Sequence, residues 1–279
     1  MPHTLQTRIS TALWDALMER SRSSGQSVGH IVQAALAEAL DIKHHALFQV
    51  STSGAIVHGL YQGWVSVAEL RRHGDVGLGT FESLDGELIL LDGRCFQARA
   101  DGTVVEAPDS ALTPFASVVN FAPDDEFHTA DVSLAELTRL LDTRRDSQNT
   151  VESFRITGRF RALDLRAACP SPSGVDLVTA TAHQALFHHQ GIEGTLVGFW
   201  SPEYQKSIGI TGYHLHFLSS DLRHGGHVLA FEAEQLAVEI NELSQVILVI
   251  PETEAFRTAD LDGDHEADLD LAERGHRGS

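Results

Sequence analysis

Cysteine is scarce in this 279-residue chain, and that scarcity removes one class of protein at once. The two present, Cys95 and Cys169, can form neither a disulfide framework nor a CxxC motif, so they read as reduced thiols of a cytoplasmic protein. Long apolar runs are missing as well: no stretch of about 18 apolar residues is available to span a membrane. The opening MPHTLQTRIS has no apolar h-region and no small-residue cleavage site, so no secretory signal is expected. Positive charge is also short. Twenty Lys and Arg against 39 Asp and Glu give a formal net charge of -19, which disfavours nucleic acid as the partner of the whole molecule. Internal repeats and low-complexity tracts are absent. What is present, 42% apolar and 21% charged residues, is the composition of a soluble globular protein. The length suits one large domain or two ordinary ones.

Residues 1–43 differ in character from the rest of the chain. Arg8, Arg20, Arg22 and Lys43 balance Asp15, Glu19, Glu38 and Asp41, whereas the chain after Pro251 is strongly acidic. TLQTRIS alternates, with Leu5 and Ile9 on one face of an expected strand and Thr4, Gln6 and Arg8 on the other. Ser10 or Thr11 can cap a helix carrying Leu13, Trp14, Leu17 and Met18. Gly25 suits a helix C′ position and Ser27 an N-cap, opening a second helix with Val28, Ile31, Val32, Ala35, Leu36 and Leu40 toward a core. A unit of about 40 residues is too small to stand alone, so it should dimerise or dock. This piece resembles the ribbon-helix-helix family of DNA-binding dimers. The resemblance implies paired strands in a major groove and a second helix whose N-terminus touches phosphate. Because the segment carries no net positive charge, DNA binding through residues 1–43 and a purely dimerising appendage both stay open.

The next part, through about Phe121, is β-rich. Asp85-Gly86, Asp92-Gly93 and Asp101-Gly102 punctuate it as hairpin turns, which predicts an antiparallel meander with a short helix near Val67–Arg72. SLAELTRLLDTRR predicts a helix with Leu134, Leu137, Leu140 and Leu141 inward, and further alternating strands come after it. The expected fold class is α+β, two-domain, with mixed and antiparallel sheets behind the small N-terminal unit. Its expected divisions are 1–43, 44–165 and 166–279. Asp260, Asp262 and Asp264 imitate a calcium loop, but His265 stands where its Gly belongs and Leu271 where its Glu belongs. A solvated acidic tail is expected there instead.

The stretch GYHLHFLSSDLRHGGHVLAFE, from Gly212 to Glu232, carries the chemistry. Residues i and i+2 of a strand share a face, so His214 and His216 project together while Leu215 and Phe217 face an apolar side. The polar turn SSDLRHGG brings His227 back on the adjoining strand. Three imidazoles from two neighbouring strands leave coordination positions open, as in a catalytic zinc site, with copper and iron also compatible with the ligand type. The adjacent pairs His44-His45 and His188-His189 point to opposite sides of any strand and read as surface residues.

HGDVGLGTFESLDGELILLDG, TPFASVVNF, FRITGRF, GTLVGFWSPEY and GITGYHLHFLSSDLRHGGHVLAFE, in that order, resemble bacterial α-acetolactate decarboxylase from about residue 44 onward. The resemblance implies a zinc-dependent, two-domain, dimeric carboxy-lyase that converts 2-acetolactate to acetoin and carbon dioxide on the branch leading to butanediol. By the same resemblance the zinc ligands are His214, His216 and His227, and the catalytic residues are Thr80, Glu87, Arg166 and a Glu near the C-terminus, best matched by Glu273. The chain departs from the family pattern at LRAACPSPSGVDLVTATAHQALF, after the Arg-bearing strand. The alternative is a transcriptional regulator in which a decarboxylase-like domain senses a ligand for a DNA-binding head. An enzyme acting on another small keto acid is a third reading.

Overall fold

The computed structural model describes residues 5–40, 45–262 and 266–274. Two helices open it, α1 (Thr11–Ser24) and α2 (Val28–Ala39). Ser10 caps α1 by accepting from the Leu13 N–H, and Gly25 ends it at φ +74°, the left-handed position glycine takes without steric cost. No strand forms over residues 5–10, contrary to expectation. A ribbon strand takes its ladder partner from a second copy, and residues 5–10 are exposed to solvent. Thr4 lies outside the described residues.

The body begins with β1 (Ala46–Val50), α3 (Ser53–Val57), β2 (Val65–Ser66) and α4 (Val67–His73). The expected meander is next, as β3 (Val76–Thr80), β4 (Glu87–Leu91), β5 (Arg94–Ala98) and β6 (Val104–Glu106). Asp92 and Gly93 both take positive φ (+50° and +74°), the demand of a two-residue type I′ hairpin. Then come β7 (Leu112–Thr113), β8 (Phe115–Val119), β9 (Asp125–Ser133) and α5 (Leu134–Arg144), whose N-terminus is fixed by a reciprocal capping box between Ser133 and Glu136. The second half contains β10 (Val151–Ala167), α6 (Leu177–Thr181), β11 (Ala185–Ser201), β12 (Gly212–Ser219) and β13 (Gly225–Leu243). It closes with β14 (Gln245–Val249), α7 (Glu254–Thr258) and α8 (Glu266–Arg274).

These strands build a mixed seven-stranded sheet, ordered β14-β1-β8-β3-β4-β5-β6, in which only β14 runs parallel to its neighbour. A five-stranded antiparallel sheet, β10-β11-β12-β13-β9, curls so that β10 also pairs with β13, closing a ring of four strands. The expected α+β class with mixed and antiparallel sheets is therefore found. The expected division at 165/166, however, falls inside β10. Leu47, Leu78 and Ile89 of the first sheet share one core with Val197, Phe199 and Leu218 of the second, so the sheets are joined face to face. Burying such residues fully contributes about 1.5–3 kcal/mol each.

Two further expectations are corrected. The acidic tail is not wholly solvated: Leu269 and Ala272 of α8 are buried in one cluster with Ile56, Val57 and Leu177, because helical spacing of three puts them on one face. His45 is buried, not exposed, and its Nδ1 lies 2.8 Å from the Glu242 carbonyl oxygen. No described helix is long and apolar enough to cross a membrane.

Candidate active site

The β12–β13 hairpin places the three histidines. His216 and His227 are direct cross-strand partners, and His214 lies two residues back on the same face as His216. Their rings form a triangle with centroid separations of 5.0, 5.0 and 5.4 Å. One ligand atom from each lies within 4.8 Å of the other two, and all three residues are buried. Leu215 and Phe217 turn the other way, into an apolar cluster with Phe154, Phe160 and Phe231, as the alternation requires. A Cβ at Gly226 would lie 2.6 Å from the Arg166 carbonyl oxygen, so glycine lets β13 approach β10 closely just before His227.

The donor set fits a metal. His216 Nδ1 lies 2.9 Å from the Leu88 carbonyl oxygen, which only accepts, so the ring proton sits on Nδ1 and Nε2 carries the lone pair. Burial, reinforced by the positive charge of Arg166, lowers the His214 pKa to about 3 and keeps that imidazole neutral. Neutral nitrogen donors of this kind suit zinc, copper, iron or nickel.

Three sequence-derived positions meet at this triad. Thr80 and Glu87 are paired residues of β3 and β4, so their side chains lie on one face. Thr80 Oγ1 donates to the Gly86 carbonyl oxygen at 2.9 Å. Glu87 is 7% exposed rather than a solvated turn residue. Its Oε1 accepts from the Ala168 N–H at 3.0 Å, and its Oε2 lies 3.6 Å from His216 Nε2. Arg166 comes just after an irregularity in the β10–β13 ladder at Asp164/Leu165, and there it pairs with His227. Its guanidinium donates to Gln184 Oε1 at 2.8 Å. Thr80, Glu87, Arg166 and the three histidines all line one cavity of about 50 Å³. The side chain of Glu273 lies outside the described residues, although α8, which carries it, reaches the cavity through Leu269.

Several contributors had no sequence signal of their own. The Leu88 carbonyl and the Ala168 N–H are backbone groups, and side-chain patterning is silent about them. Gln184 could have been found by pairing the two 17-residue strands, whose register puts Ala167 opposite Ala185. The divergent stretch after Arg166 supplies cavity wall through Ala168, Leu177 and Thr181.

The family profile described as Alpha-acetolactate decarboxylase matches residues 47–263. The chain belongs to that family. Among alpha-acetolactate decarboxylases, the enzyme of Lactococcus lactis subsp. cremoris is 40% identical over 230 residues, spanning 81% of this chain and 98% of the relative. The Methanosarcina mazei enzyme is 35% identical over 239 residues, spanning 84% and 83% respectively. The crystal structure of the Bacillus subtilis strain 168 enzyme superposes with a TM-score of 0.80 at 32% identity, covering 82% of this chain and all of that one. As a member of the alpha-acetolactate decarboxylase family the chain is a lyase. The match begins after α2, so the two N-terminal helices lie outside the family region.

Proposed function

We propose that the chain decarboxylates 2-acetolactate to acetoin and carbon dioxide at a zinc ion held by His214, His216 and His227. The observation that carries this reading is the convergence of three buried imidazoles, one carboxylate and one guanidinium on a single small cavity. Zinc bound there would supply Lewis-acid stabilisation of the negative charge that develops on the substrate oxygens.

Arg166 holds the substrate carboxylate by charge-assisted hydrogen bonds, and Gln184 fixes the guanidinium for that task. As the bond between the carboxyl carbon and C2 breaks, carbon dioxide leaves and the electron pair passes toward the ketone oxygen. Glu87, protonated from solvent, delivers that proton to C2 from one face, which sets the chirality of acetoin. The Ala168 N–H anchors one carboxylate oxygen of Glu87 and leaves the other to the cavity. Thr80, tied to Gly86, holds the turn from which Glu87 projects. Glu273 is a second candidate proton donor by family resemblance.

Residues 1–43 read as a dimerising appendage. Leu13, Trp14 and Leu36 are exposed on the two helices and Leu40 just beyond α2, and no residue of α1 is buried. A regulator with a DNA-binding head is not favoured, because the enzyme-family match spans residues 47–263 and the net charge is -19.

The test incubates purified, zinc-loaded protein with racemic 2-acetolactate and measures acetoin and carbon dioxide. Product should form, disappear after chelation and return with zinc. A folded, metal-loaded sample that yields no product overturns the reading. A chain beginning at residue 45, compared with the full chain by light scattering, should keep turnover while losing self-association contributed by the helices.

A further inference from the structure

The cavity has two unlike walls. The histidines, Glu87 and Arg166 form the polar one, while Ile56, Leu84, Phe115, Leu177, Ile210 and Leu269 form the apolar one. Room is tight. At roughly 10–15 Å³ per water on the same measure, a cavity of about 50 Å³ holds three to five water-sized groups. The space is small and leaves little room for a longer chain.

A second, larger space lies alongside. A cleft of about 630 Å³ runs between the first turn of α5, Thr211–Tyr213 and Val228–Glu232. Three residues border both spaces: Ile210, His227 and Leu269. His227 belongs to the triad, so the apolar part of the shared boundary is Ile210 and Leu269. Leu269 is 7% exposed, although it sits on the last described helix, while Leu271 two residues on is 38% exposed. Leu269 is therefore inserted between the two spaces rather than lying along the surface.

We propose that Leu269, with Ile210 against it, is the specificity-determining partition that limits the alkyl group a substrate may carry at C2. The inference rests on the proposed decarboxylation for its substrate. The polar wall takes the carboxylate and the oxygens, so the alkyl substituents fall to the apolar wall. Shortening Leu269 to Ala removes three carbons, an isopropyl group's worth of that wall, and joins the small cavity to the cleft. A larger alkyl group then gains room, while the polar contacts are untouched.

The experiment compares Leu269→Ala, Ile210→Ala and the exposed control Leu271→Ala with the unaltered, zinc-loaded chain. Each is given 2-acetolactate and its homologue with ethyl in place of the C2 methyl, and kcat/KM is measured for both. One methylene in an apolar pocket is worth about 10- to 200-fold in discrimination, so the ethyl-to-methyl ratio should rise by about tenfold or more in Leu269→Ala. Ile210→Ala should move it the same way, and Leu271→Ala should leave it unchanged. Calorimetric binding of two inert 2-hydroxy acids, differing by the same methyl and ethyl groups, should show the same shift. Ratios within twofold of the unaltered chain in both variants overturn the proposal. So does an equal shift in Leu271→Ala, which would make the docking of α8 responsible instead. Failure of the unaltered chain to decarboxylate 2-acetolactate defeats the proposed function instead, and the binding arm then still decides the partition.

Discussion

Replacing Glu87 by Gln separates a proton-transferring role from a structural one more cleanly than any other single change. The amide has nearly the shape of the carboxylate. Its oxygen can keep accepting from the Ala168 N–H, the bond that Glu87 Oε1 makes at 3.0 Å, so β4 and the segment after β10 stay joined. The His216 tautomer is set by the Leu88 carbonyl and not by Glu87, so the triad keeps its donors. What is lost is an ionisable group 3.6 Å from His216 Nε2, inside a cavity that also holds Arg166. A positioned acid or base contributes about 10²–10⁴-fold, equivalent to about 2.7–5.5 kcal/mol of barrier. Glu87→Gln should therefore lower kcat for acetoin formation by at least about 100-fold. Its zinc content by elemental analysis and its melting temperature should stay close to those of the unaltered chain. Turnover within threefold at full metal occupancy would refute the proton-transfer role and leave Glu87 as an anchor for Ala168 only.

Gly226→Ala tests the close approach of β13 to β10. With a Cβ 2.6 Å from the Arg166 carbonyl oxygen, the strands must part, costing about 1–3 kcal/mol of stability. His227 should move away from its two partners, weakening zinc binding by about 10- to 100-fold in a competitive chelator titration; unchanged affinity and stability would show that the strands can shift freely. The buried His214 gives a pH signature in metal-free protein. Its folded pKa, about 3, lies below the unfolded 6.5, so the unfolded chain binds the extra proton between those values. Stability should then fall as pH drops below 6.5, by about 1.4 kcal/mol per unit, until the folded group also protonates. Urea unfolding at pH 7 and pH 5 should show this component in the unaltered chain and its loss in His214→Gln; identical pH dependence in both would assign the effect to other groups.

Much of this architecture was legible because it rests on short-range rules. Asp92-Gly93 announces a hairpin through the positive φ that both central residues must take. Ser133 and Glu136 announce the start of α5 through capping. The His-x-His of β12 announces a shared face through the pleat, and His227 was placed opposite by the turn between them. The N-terminal strand failed for a related reason: its alternation is real, but alternation without a ladder partner does not make a strand. Strand patterning also cannot say that β10 continues unbroken through 165/166 while pairing on both sides.

By itself, the sequence determined the local conformations, the β-rich class and three histidines able to share one metal. It could also nominate Thr80, Glu87 and Arg166, but only through likeness to a family, because nothing in their own neighbourhoods distinguishes them from other threonines and charges. Tertiary structure alone decided that these groups meet. Glu87 and Ala168 are 81 positions apart in the chain, and Leu88 and His216 are 128 apart. Such contacts arise from packing one sheet on another, where burial of apolar faces sets the geometry and the polar groups are carried along with it. The same packing brought Leu269, from a tail whose composition looked solvated, onto the wall of the cavity.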